Sequence, residues 1–227
     1  MGVARRRPGY PAWCGRPSGL LSHPGGHPGT VLLPTACPVC ARAGPAPCED
    51  CRALVTAAPG LPPPAGLDWC AALMAYEGVG REIVARLKYR NARSALPWIV
   101  GGLAALVEAR GPCGFEVVTW VPTTAARRRQ RGFDQSRLLA RGLAARLALP
   151  CRPLLHRLPG PPQTGADRAA RLAGPRLTVR GRPPPVVLVV DDVVTTGASL
   201  AAAAARLRAA GTAHVSGAVV ARRRLRG

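Results

Sequence analysis

The 227-residue chain sets 32 Lys+Arg against 11 Asp+Glu, a formal charge of +21, and Lys88 is its one lysine. A chain this basic attracts phosphates, nucleotides or nucleic acid over long range; Pro and Gly rather than an apolar segment follow Arg5–Arg7, and no run of about 20 apolar residues could span a membrane, so a soluble cytoplasmic protein is expected. The eight cysteines argue against a secreted disulfide scaffold, because four are clustered and the rest are scattered singly, as suits a reducing compartment with one metal site.

Residues 1–34 are rich in Pro, Gly and Arg without periodicity, and read as a disordered leader. Within 35–58 stand Cys37-x2-Cys40 and Cys48-x2-Cys51. Each pair offers two thiolates from one tight turn, and two such knuckles complete a tetrahedral structural zinc site whose metal supplies the folding energy a minimal ribbon lacks. The Pro/Gly stretch 59–66 reads as a linker, and the main domain is expected over 67–221. Ala71–Tyr76 reads as a strand, and Gly78–Tyr89 as a helix with Val79, Ile83, Val84 and Leu87 at helical spacing. Lys88 closes that helix, where a cation is favourable in any case. Leu96 to Val107 reads as a second helix, with Pro97 tolerated in its first turn.

Phe115–Val121 is the next strand, followed by Pro122-Thr123-Thr124 and a run read as a basic loop, Arg127-Arg128-Arg129-Gln130-Arg131. Arginine forks at the carboxyl end of a strand suit phosphate oxygens. A helix with Leu138, Leu139, Leu143 and Leu147 comes next, opened by Asp134 as cap; residues 152–185 are irregular. Val186–Val190 is an apolar β-branched run of the kind buried on both faces of a parallel sheet. It leads into Asp191-Asp192, the turn Thr195-Thr196-Gly197, and an Ala-rich helix stopped by Gly211. Carboxylates at the carboxyl edge of such a sheet lie where open α/β folds bind ligands, and a helix N-terminus beside them suits a phosphate. A final strand near His214–Val220 and a basic tail over 222–227 end the chain, with His214 read as structural.

These features together resemble the phosphoribosyltransferase family, over roughly residues 37–221. The stretch DDVVTTGAS at 191–199 is very close to the family's motif for phosphoribosyl pyrophosphate (PRPP). The four cysteines resemble the N-terminal finger of its ComF branch; Leu87-Lys88-Tyr89 resembles that branch's Leu-Lys-Tyr element, and Val121-Pro122 with the run to Gln135 resembles its Val-Pro followed by R-x-R-G-F-N-Q, where this chain has Asp134 for Asn. The resemblance implies an α/β fold, a type I phosphoribosyltransferase-like parallel sheet flanked by helices with a small N-terminal zinc ribbon. It implies PRPP carried with Mg²⁺ and held by Asp191, Asp192, Val193, Val194, Thr195, Thr196, Gly197, Ala198 and Ser199, with the two aspartates catalytic. Pyrophosphate would meet Thr123, Arg127, Arg129 and Arg131, and Lys88 would face a phosphate. Gln163 and Arg168 fit the family's flexible hood, but Arg171 stands where Asn is expected. Three functions stay open: a transferase acting on an unnamed acceptor, a non-catalytic competence factor handling single-stranded DNA with other DNA-uptake proteins, and a PRPP-sensing regulator.

Overall fold

The computed structural model describes residues 35–89, 93–112, 114–158 and 174–224. The expected leader and the hood residues Gln163, Arg168 and Arg171 lie outside them.

A four-stranded, all-parallel sheet forms the centre, built from β1 (Trp69–Ala75), β2 (Val117–Trp120), β5 (Val186–Val194) and β6 (His214–Arg222) in the order β1-β6-β5-β2. Its central strands are apolar on both sides because both sides are covered. Leu188 and Val190 of β5 face one core with α2 (Gly78–Tyr89), α3 (Leu96–Arg110) and α5 (Gln135–Arg146); Val187 and Val189 face a second with α6 (Ala198–Ala209) and the antiparallel pair β3 (Leu155–Arg157) and β4 (Leu177–Val179). All four of these β5 side chains are fully buried. Each contributes about 1.5–3 kcal/mol on transfer from water.

The elements keep close to their expected bounds, with three differences that bear on function. The strand carrying the acidic pair does not end at Val190: β6 continues beside it, pairing Asp191 with Val219 and Val194 with Arg222. Its other neighbour, β2, stops at Trp120 opposite Val190. The aspartates therefore project from a strand flanked on one side only, at the carboxyl edge of the sheet.

The basic run is a helix rather than a loop. In α4 (Ala125–Arg131) the Thr124 hydroxyl accepts from the Arg127 N–H at 3.2 Å, and Gly132 ends the helix in the left-handed region at φ 77°.

Arg222 is not the start of a free tail. The parallel ladders run to it from both β1 and β5, and it is buried, with its guanidinium donating to the carbonyls of Leu61, at 3.0 Å, and Pro62. The stretch read as a linker is thus fastened to the sheet domain. Arg208 of α6 adds a bond to the Gly66 carbonyl at 2.9 Å and an ion pair with Asp68 at 2.7 Å. His214 stands 3.6 Å from the same Asp68 and opens β6, a structural place.

Candidate functional site

Over the carboxyl edge lies a cleft of about 240 Å³. That is small beside the roughly 300–1,000 Å³ of drug-sized pockets. Asp191, Asp192, Val193, Thr195 and Ser199 line it from β5 and the start of α6; Pro122, Thr123, Arg127 and Arg131 line it from the β2 side; Tyr76 and Lys88 close it from the β1 side. Segments distant in sequence meet because the parallel strands all end at one edge.

The acidic pair divides into two unlike groups. Asp192 forms an ion pair with Lys88, Nζ to Oδ2 2.9 Å, with the side chains only 16% and 17% exposed. Asp191 Oδ1 accepts from the Ser136 hydroxyl at 3.0 Å and from the Asp192 N–H at 2.8 Å. Burial, then the neighbouring Asp192 charge, pushes the Asp191 carboxyl up to about 7, against the pull of these hydrogen bonds and of Lys88. A carboxyl poised there changes charge near neutrality.

Beyond the pair, Val194 is buried and closes the strand, while Thr195 and Thr196 are exposed. Gly197 caps α6 at φ 81°, and the Thr196 hydroxyl accepts from the Ala198 N–H at 3.4 Å. The first-turn N–H groups of any helix lack intrahelical partners and carry partial positive charge; here they belong to Ala198, Ser199 and Leu200. A Cβ added to Gly197 would stand 2.9 Å from Cβ of Pro64, so the fastened stretch presses on the turn.

Helical geometry selects among the arginines. Residues four apart share a helix face, and Arg127 and Arg131 of α4 both reach the cleft, whereas Arg129 does not line it. Of the three arginines that the resemblance implied, the i, i+4 pair lines the cleft and Arg129 does not. Thr123 lies at the cleft, and its N–H donates to Asp134 Oδ2 at 3.2 Å. Asp134 also caps α5, accepting from the Arg137 N–H at 3.3 Å.

Sequence reasoning missed Tyr76, Gln135, Ser136 and Arg157, all of which line the cleft. Arg157 enters from the end of β3; burial and the charge of Arg127 lower its pKa while Asp191 raises it. Gln135 is buried, accepts from Arg131 Nη1 at 3.1 Å and donates to the Lys88 carbonyl at 3.3 Å. No local pattern marks these residues, except that Gln135 and Ser136 follow a recognisable helix cap.

The second candidate centre is the cysteine module. The sulfurs of Cys37, Cys40, Cys48 and Cys51 all lie within 4.8 Å of one another, a set able to hold a metal ion such as zinc. The first knuckle turns through Ala41 at φ 61°, with Cys37 N–H donating to the Arg42 carbonyl and Ala41 N–H to the Cys37 carbonyl. The second begins α1 (Glu49–Ala53), with Cys48 as its cap. Burial would raise the Cys37 thiol, but backbone N–H groups from Cys40, Cys48 and Val39 bring it down to about 6. Burial and the surrounding sulfurs push Cys51 up to about 12. Crowded thiols resist joint ionisation, and a divalent cation among them reverses that balance. The donor set thus fits zinc. Val39 and Val79 pack on the cluster, and Thr56–Ala57 cover the β1 edge, with Ala75 N–H donating to the Thr56 carbonyl at 2.9 Å.

No family model matches the chain, and no curated protein does.

Proposed function

We propose that the chain is a ComF-like, type I phosphoribosyltransferase-like protein that binds Mg²⁺–PRPP, or a related phosphoribosyl ligand, in the carboxyl-edge cleft. One observation carries the reading: an acidic pair, the hydroxyl residues Thr195 and Ser199 at the opening of a helix, and the cations Arg127 and Arg131 line a single small cleft. A phosphorylated sugar bearing a second anionic group needs these three environments in this proximity.

In this reading the 5′-phosphate sits on the N–H groups at the start of α6 and on the hydroxyls of Thr195 and Ser199. Asp191 and Asp192 accept from the ribose hydroxyls. Arg127 and Arg131 take the pyrophosphate, binding its oxygens with planar forks. Mg²⁺ carried with the ligand would supply charge neutralisation on the phosphate oxygens. For transfer, the bond from C1 of the ribose to the pyrophosphate oxygen breaks, its electron pair leaving with pyrophosphate, and the acceptor's lone pair forms the new bond. The two carboxylates stabilise the positive charge growing on the ring, and the arginines the negative charge leaving it. Positioning supplies most of the remainder.

Lys88 has a place in this scheme beyond that expected of it. Its ammonium neutralises Asp192 at 2.9 Å, so a ligand phosphate entering from the β1 side competes with Asp192 for it. Calorimetric titration of Mg²⁺–PRPP into wild type and the Asp191→Asn/Asp192→Asn protein tests the reading. Binding by wild type and its loss in the variant are expected; no binding by wild type refutes it.

A second reading has its own observation. Every residue from Ala125 to Gln130 of α4 is exposed, and the Arg137 guanidinium lies over the Trp120 ring at 5.9 Å. An exposed arginine-rich face suits a single-stranded nucleic acid backbone. A salt-dependent mobility shift of single-stranded DNA that Arg128→Gln/Arg129→Gln weakens, with PRPP binding unchanged, would assign that role to this face.

A further inference from the structure

The start of α5 is tied to three sides of the cleft. Its cap, Asp134, holds the Thr123 N–H; Gln135 joins Arg131 to the Lys88 carbonyl; Ser136 donates to Asp191. Gln135 and Ser136 are 2% and 5% exposed, so neither is a surface polar residue that settled on a convenient partner. These side-chain bonds tie the first turn of α5 to the segment after β2, to α4 and to α2, and the Ser136 hydroxyl itself is held by Asp191 at 3.0 Å.

We propose that Ser136 is a positioning residue for the ligand-binding carboxylate: its hydroxyl, with the Asp192 N–H, occupies Oδ1 of Asp191 and leaves Oδ2 to accept from the ligand. Both donors favour the ionised carboxylate, the form that accepts from ribose hydroxyls. The other charged or titratable groups bearing on the Asp191 carboxylate are Asp192 on its own strand, Lys88 from α2, Cys70 from β1 and Arg157 from β3. Arg127 and Arg131 of α4 line the same cleft. None of these changes when Ser136 is replaced, so the difference between variants isolates the hydroxyl. The role of Oδ2 rests on the phosphoribosyl reading; the effect of Ser136 on Asp191 does not.

The test has two arms. In the ligand-free protein, carbon NMR of the Asp191 carboxyl in Ser136→Ala should show its titration midpoint moved upward by roughly one pH unit, with Ser136→Thr close to wild type and Ser136→Cys, a weaker donor, between them. In titrations with Mg²⁺–PRPP, Ser136→Ala should bind roughly tenfold more weakly below the wild-type midpoint and equally well about two pH units above it. A merely structural Ser136 weakens binding by the same factor at every pH, and that result overturns the proposal. So does an unmoved Asp191 midpoint in both Ser136→Ala and Ser136→Cys. A moved midpoint in a protein that fails to bind Mg²⁺–PRPP supports the hold on Asp191 and refutes the phosphoribosyl reading alone.

Discussion

Replacing Lys88 with Met measures what the Lys88–Asp192 pair does for the fold. The pair is neither a surface salt bridge nor a fully buried one: the atoms are 2.9 Å apart and the side chains 16% and 17% exposed. Exposed pairs contribute about 0–1 kcal/mol, and breaking a fully buried pair by removing one partner costs about 3–5 kcal/mol. Lys88→Met should therefore cost roughly 2–3 kcal/mol, since it strands Asp192 beside Asp191 in a half-buried cleft. Asp192→Asn should cost less, because it also removes the repulsion between the two carboxylates. Urea denaturation of wild type, both single variants and the double variant gives the coupling directly. A coupling of about 1–2 kcal/mol is expected. A value below about 0.3 kcal/mol, within the error of additivity, would mean that Lys88 does not neutralise the acidic pair in solution.

Three further outcomes follow from the same geometry. Gly197→Ala should destabilise by about 2–3 kcal/mol, as a left-handed residue costs about 1–2 kcal/mol and its Cβ meets Pro64; thermal melting equal to wild type would show that the turn is not so held. Asp191→Asn should stabilise the protein above neutrality and leave it unchanged near pH 4: a carboxyl titrating at about 7 when folded and at about 4 when unfolded gives the native state an extra proton between those values, so stability falls as pH rises through that window. Denaturation midpoints at pH 5 and pH 8 check this, and a variant less stable than wild type at pH 8 contradicts it. Purified protein should hold about one zinc per chain, and chelation should lower the melting temperature; metal analysis far below one per chain refutes the zinc assignment.

The central strand was legible because Val186 to Val190 has only one environment that suits it, a sheet covered on both faces. The four cysteines were legible for a comparable reason: two C-x2-C pairs have few uses. What sequence pattern could not supply was the partner of each charge. Lys88 and Asp192 lie 104 positions apart, and the cap of a helix is a sufficient local account of either end. The five residues 127–131 read as a loop because a sequence of cations has no hydrophobic period; the Thr124 cap and the left-handed Gly132 decide for a helix, and with it the choice of Arg127 and Arg131 over Arg129. Pro and Gly in 59–66 suggested a free linker, but neither residue type reveals that its carbonyls will meet Arg222. Ser136 and Arg157 were invisible for the plainest reason, since a single serine in a helix and a single arginine ending a strand have no pattern at all.

The claim on which the rest depends is where a phosphoribosyl ligand would sit, and a crystal structure with Mg²⁺–PRPP tests it most directly. The account predicts the 5′-phosphate at the start of α6 against Thr195–Ser199, the ribose hydroxyls on Asp191 and Asp192, and the pyrophosphate beside Arg127 and Arg131. Ligand density elsewhere, or a ribose turned away from both aspartates, would contradict it.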